Sequence, residues 1–297
     1  MTYPITIRDL EKVYAKGVRR EPVVAVRGVS LEIAQGEAFG FIGPNGAGKS
    51  STIRILMGLS RPTGGVVRIF GIDSQEPAAR QRLGYVPENP YLYDYLTPME
   101  ILQMGMQLHR VQKASVETHC QQWLEKLGIG AVAETPIRAF SKGMTQRVAI
   151  AHALCIEPRL LILDEPLSGL DPVGRRDVVD LLSEYKKQGG TLFFTSHVLH
   201  DVERLADRFG LIHDGQIRAV RSPGELIGDE ETFLVRSMGK KAVAGMREDV
   251  AERWEGEISR AALWSQLDQL REAGHTLLEV KSTLSLEAAF LRAVGRQ

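Results

Sequence analysis

The run Ala38-Phe39-Gly40-Phe41-Ile42-Gly43-Pro44-Asn45-Gly46-Ala47-Gly48-Lys49-Ser50-Ser51-Thr52-Ile53 decides the fold. Its first five residues have the length and composition of a buried strand. From Lys49 to Leu59 the apolar residues recur at helical spacing. Between the two, Gly43 to Ser50 fits G-x-x-x-x-G-K-[ST] in full, with Pro44, Asn45, Gly46, Ala47 and Gly48 in its interior. Strand, glycine loop and helix in that order predict an α/β domain with a phosphate cradle. Glycines let backbone N–H groups turn inward, and the helix start adds the positive end of its dipole. Lys49 then reaches the β- and γ-phosphates as a point charge, Ser50 offers a hydroxyl to Mg²⁺, and Ser51 completes the binding set. Alone, the loop predicts an NTPase; with the right partners downstream it predicts a chain that binds and hydrolyses ATP.

Working outward, 297 residues suit about two domains and a sizeable core. Lys plus Arg equals Asp plus Glu, 37 against 37, so net charge points to neither nucleic acid nor an anionic membrane surface. The cysteines, Cys120 and Cys155, have no metal-ligand neighbour at useful spacing and read as reduced, buried thiols. Met1 to Leu10 lacks a signal-type hydrophobic run. No apolar stretch approaches the ~20 residues that span a bilayer, so a membrane role would be borrowed from a partner.

Val23 to Ile33 reads as a strand preceding the loop. From Thr97 to Pro158 the pattern turns helical, with Pro98–His109, Ser115–Leu127 and Lys142–Cys155 forming an insertion (97–158). Alternation then resumes. Leu160–Leu163 is a buried strand, Pro172–Gln188 a helix and Thr191–Thr195 a strand. Gly210–His213 and Gln216–Val220 flank Asp214-Gly215, a strong hairpin signal. The character changes at Ser222-Pro223-Gly224, which sets expected domains at 1–224 and 225–297. The second is read as a small α+β appendage: a link at Gly228–Glu231, strands Thr232–Ser237 and Thr276–Val280, and helices Arg260–Ala273 and Leu284–Val294.

The strand Leu160–Leu163 ends in Asp164-Glu165. Acids there sit at the crevice where an α/β sheet binds ligands. Alternatively they are two solvated carboxylates at a strand end. In the functional reading Asp164 serves the metal through a water, and Glu165 orients or deprotonates the attacking water.

With these residues in place, Ile5 to Ser222 resembles the ATP-binding cassette (ABC) family. That family carries a Leu-Ser-Gly-Gly-Gln signature ahead of the acidic strand. Here it stands as Phe140-Ser141-Lys142-Gly143-Met144, so Lys142 and Met144 replace a Gly and a Gln, a variant similar to drug- and antibiotic-export cassettes. Ser168-Gly169-Leu170-Asp171 resembles the D-loop and His197 the switch histidine. Tyr14 is similar to the aromatic that stacks on adenine, the other reading being an ordinary strand tyrosine. Glu88, in Tyr85-Val86-Pro87-Glu88, stands where the family usually has a metal-contacting Gln; its carboxylate can still ligate Mg²⁺.

The resemblance implies a P-loop ABC cassette with a mixed central sheet, an antiparallel β subdomain and a helical insertion. It implies ATP and Mg²⁺ as cofactors, with Ser50, Glu88 and Asp164 toward the metal and Lys49, Glu165 and His197 in catalysis. Two cassettes, expected as a homodimer, pair head to tail, so that Ser141, Lys142, Gly143 and Met144 act on the other chain's nucleotide. The expected partner is a transmembrane permease at the cytoplasmic face of the membrane, and no nucleic acid is expected; Asn89–Met99, with three tyrosines and two leucines, reads as part of the groove for that partner or else as packing for the helical insertion. Export leads, with import as the alternative, or a soluble ATPase acting on ribosomes or DNA.

Overall fold

The computed structural model describes residues 3–16, 20–227 and 232–282. The expected link Gly228–Glu231 and helix Leu284–Val294 lie outside the described residues. The chain divides into two compact units between Val220 and Arg221.

In the first unit the elements follow as β1 (Ile5–Lys16), β2 (Arg20–Ile33), β3 (Ala38–Ile42), α1 (Lys49–Leu56), β4 (Gly64–Ile69), β5 (Ile72–Asp73), β6 (Leu83–Val86), α2 (Pro98–Leu108), α3 (Val116–Lys126), α4 (Lys142–Cys155), β7 (Leu160–Leu163), α5 (Pro172–Lys187), β8 (Thr191–Ser196), α6 (Leu199–Leu205), β9 (Arg208–His213) and β10 (Gln216–Arg221). Two sheets organise them. A six-stranded sheet runs β10-β9-β3-β8-β7-β6, and an antiparallel sheet runs β2-β1-β4-β5. Strand β3 pairs in parallel with β8 and β9, and β7 with β6 and β8. Every residue of β3, β7 and β8 is buried, as strands covered on both faces must be. The Phe39 and Phe193 rings stack at 6.2 Å inside this core.

The helix after the loop ends at Leu56, short of the expected Leu59. Gly58, at φ +67°, supplies the left-handed residue that stops it. Lys142–Cys155 forms with the expected bounds. At the hairpin, Asp214 and Gly215 both have positive φ (+48° and +76°), as a tight turn between twisted strands requires. Strand β1 was not among the expected elements. Its sequence, ITIRDLEKVYAK, interleaves charges with apolar residues, and its pairing with β2 carries several register shifts that break a simple alternation.

The second unit contains α7 (Pro223–Ile227), β11 (Thr232–Met238), β12 (Arg247–Val250), β13 (Arg253–Ser259), α8 (Leu263–Glu272) and β14 (Thr276–Ser282). Its sheet, ordered β12-β13-β11-β14, has its own small core of Val235, Val243, Ile258 and Leu270. Among the described residues no helix is long and apolar enough to cross a membrane.

Candidate active site

The loop between β3 and α1 is braced by the β9–β10 hairpin. Gly215 N–H donates to the Ala47 carbonyl at 3.0 Å, and Arg27 N–H to the Gly215 carbonyl at 2.8 Å. This closeness dictates glycine at two loop positions. A Cβ on Gly43 would lie 2.2 Å from the Ile212 carbonyl oxygen, and one on Gly48, at φ +111°, 2.5 Å from that of Ala25. Helices α2 to α5 each begin with a side-chain cap, from Thr97, Ser115, Ser141 and Asp171, but α1 begins at Gly48 with none. The first N–H groups of α1 are therefore left for another acceptor, and an anion is the natural one.

Pro44, Asn45, Gly46, Gly48, Lys49, Ser50, Ser51, Glu88, Asp164, Glu165 and His197 line one cleft of about 200 Å³. Strand β7 delivers the two acids to it. Lys49 is buried; its ammonium donates to the carbonyls of Gly43 at 2.6 Å and Pro44 at 3.3 Å, and stands 3.6 Å from Glu165 Oε1. The other carboxylate oxygen, Oε2, is 2.7 Å from His197 Nδ1. An ionised carboxylate only accepts, so that ring nitrogen carries the proton. Glu165 itself sits at φ +50°, in the left-handed region.

Burial pushes the Asp164 carboxyl above the usual aspartate range. The hydrogen bond from Thr195 opposes this, Glu88's charge adds to it, and Lys49 and Ser50 oppose it. A cation placed between these acids would relieve both the burial penalty and the repulsion. Ser50, Asp164 and Glu88 offer oxygen alone, which suits a hard ion such as Mg²⁺. Among the described residues no group of three His, Cys, Asp or Glu could hold a metal by itself. The donor set thus fits an ion whose shell is completed by phosphate oxygens and water.

Other expected site residues lie outside the cleft lining. Tyr14, on β1, reaches the loop through its hydroxyl, 3.4 Å from Ser51 Oγ, and carries Lys12 Nζ 4.8 Å from its ring centroid. Ser141 is exposed and caps α4 by accepting from Met144 N–H, while Lys142 lays its stem on Gly169 and Gly143 lies against the Gly169 carbonyl. Asp171 caps α5 through Gly174 N–H at 2.9 Å. None of Ser141, Lys142, Gly143, Met144 or Asp171 lines the cleft of their own chain.

Two residues that sequence reasoning passed over hold the site together. Thr195 Oγ1 accepts from Glu165 N–H at 2.9 Å and donates to Asp164 Oδ1 at 2.7 Å, so one buried hydroxyl fixes both acids. Gln146, wholly buried on α4, donates to the Pro166 carbonyl at 3.1 Å and ties the signature helix to the residue after Glu165. A polar residue inside an apolar strand or helix was the available signal for both.

Comparison with known proteins places the chain among cassette ATPases by sequence and fold. The family described as ABC transporter matches residues 26–168. An uncharacterized ABC transporter ATP-binding protein of Nostoc sp. is 35% identical over 97% of this chain and 89% of its own length. A fluoroquinolones export ATP-binding protein of Mycobacterium tuberculosis is 38% identical over 76% of this chain and 73% of its own. Among solved structures, a dimeric post-hydrolysis ATP-binding cassette bound to ADP and Pi superposes with a TM-score of 0.69 at 25% identity, covering 73% of this chain and 98% of that one.

Proposed function

Because this chain belongs to the ABC transporter ATP-binding protein family, we propose that it is the ATPase that drives an exporter, working as a head-to-tail dimer on a membrane permease. The observation that carries the proposal is the meeting of Lys49, Asp164, Glu165 and His197 in the cleft beneath the uncapped start of α1. Loop N–H groups and Lys49 bind the phosphates. Mg²⁺, held by Ser50 and Asp164 with Glu88 beside them, would supply charge neutralisation on the transferring phosphoryl group. Glu165 takes the proton of the attacking water, and His197, through Nδ1, keeps that carboxylate oriented. Tyr14 stacks on the base.

One chain holds half of each site, since its own signature residues stand away from its cleft. Ser141 to Met144 of a second copy close over the nucleotide, and the dimeric cassette among the similar structures supports this pairing. A two-fold pair of this kind holds two nucleotides. Export is favoured over import by the fluoroquinolone-export relative. The docking surface is the stretch Asn89–Met99, at the cytoplasmic face of the membrane. Tyr91, Tyr93 and Tyr95 are all exposed there, and the last two rings lie 5.8 Å apart; an exposed aromatic cluster suits a protein contact.

The test is Glu165→Gln. It should keep nucleotide affinity, lose nearly all steady-state phosphate release, and accumulate dimer on size-exclusion in ATP. Turnover near the wild-type rate would remove Glu165 as the base and with it this reading.

A further inference from the structure

Glu165 and His197 line not one cavity but two. Behind them, away from the loop, lies a second, smaller cavity of about 60 Å³ between α5, β8 and α6, room for a few waters. Its polar lining comes from Ser168, Arg175, Thr195, Ser196 and Asp201. The two residues therefore stand as a wall, with loop and nucleotide cleft on one side and a chamber of mixed polar and apolar lining on the other. The carboxylate is turned to match: Oε1 faces Lys49 in the cleft at 3.6 Å, and Oε2 faces His197 at 2.7 Å. Arg175, in the first turn of α5, is half-buried, and among the described residues its guanidinium has no carboxylate partner. A partly desolvated cation in a small cavity calls for acceptors, and water meets that need where two or more polar groups converge, as Ser168, Ser196 and Asp201 do here.

We propose that this second cavity is a water chamber behind the base, which delivers the attacking water to Glu165 and carries off the proton that Glu165 removes, with Arg175 orienting the water. The proposal rests on the ATPase reading above, with Glu165 as base. On that reading the loop side is filled by the triphosphate and closed by the second copy, so the rear is where solvent still meets the carboxylate. The step balances simply. The water oxygen forms a bond to the γ-phosphorus, the bond from that phosphorus to the β-bridging oxygen breaks, and its electron pair stays on ADP. The water's proton goes to Glu165, then to water in the chamber, which restores the carboxylate. Arg175 acts through that water and is a positioning residue.

Arg175→Met and Arg175→Lys in the full chain test this, alongside a chamber-filling Leu205→Phe, since buried Leu205 lines the cavity. Arg175→Met should lower kcat about tenfold, a modest share of what assisted proton transfer contributes. It should leave ADP affinity and the KM for ATP within about twofold. It should also raise the solvent deuterium isotope effect on kcat and shift its pH profile, and Arg175→Lys should recover most of the loss. Leu205→Phe should slow turnover with the same isotope signature. If Arg175→Met leaves kcat, pH profile and isotope effect unchanged, the chamber is not on the path. If kcat and ADP affinity fall together, Arg175 supports the fold only, and the proposal fails. Turnover by Glu165→Gln would instead remove the underlying reading, whatever Arg175 does.

Discussion

Replacing Thr195 by Val tests the site's support without altering its shape, because the two side chains are nearly isosteric. The change removes a buried hydroxyl with two partners, Glu165 N–H at 2.9 Å and Asp164 Oδ1 at 2.7 Å. A buried N–H left without an acceptor costs about 1–3 kcal/mol, and a lost hydrogen bond to an ionised group about 1.5–3 kcal/mol. Together they predict a loss of about 2.5–6 kcal/mol, or roughly 5–25 °C in melting temperature for a unit of this size. The two parts separate by pH. Burial raises the Asp164 pKa in the folded chain, so the native state holds that proton more tightly than the unfolded one. Its contribution to stability is full below the unfolded value of about 3.9 and is lost as pH rises through the folded value. Thr195 counteracts that rise, so its removal widens the window upward. The deficit of the variant should therefore grow with pH, while the Glu165 N–H share stays constant. Thermal unfolding of both proteins between mildly acidic and mildly alkaline buffer reads this directly. A deficit under about 2 °C, or one flat in pH, would refute the assignment of Thr195 as the clamp on both acids.

Gly43→Ala places a methyl group 2.2 Å from the Ile212 carbonyl oxygen; backbone must shift, so about 1–3 kcal/mol of stability and nucleotide binding should be lost together in calorimetry. Glu88→Gln removes a charge that raises the Asp164 pKa; the acid limb of the ATPase pH profile should move to lower pH, with a higher Mg²⁺ requirement in a metal titration. Tyr91→Ala with Tyr93→Ala changes exposed rings, so stability should move by under about 0.5 kcal/mol while co-purification with the proposed permease partner is lost.

Where a local pattern and its tertiary setting agree, the sequence was readable. Lys142–Cys155 has a serine cap ahead of it and a nearly continuous apolar run from Val148 to Cys155 that is buried almost all round. Leu160–Leu163 is wholly apolar and wholly buried. The loop followed from glycine, lysine and serine spacing set between a buried strand and a helix. What escaped depended on neighbours distant in sequence. Thr195 becomes a clamp only because β8 lies beside β7 with Leu163 opposite Phe194, and strand order is not written in either strand. Strand β12, Arg247–Val250, is exposed throughout and so lacks any alternation to detect. Helix α6 spans seven residues and has no side-chain cap to announce it.

The left-handed backbone at Glu165 carries one more consequence. A side chain with a Cβ costs about 1 kcal/mol or more in that conformation, and glycine or asparagine adopts it with less strain. With Glu165 as the proposed base, selection for heat resistance alone would favour exchanging this carboxylate for a smaller residue, and the survivors would be robust proteins that no longer turn over. At position 165 durability and work pull in opposite directions.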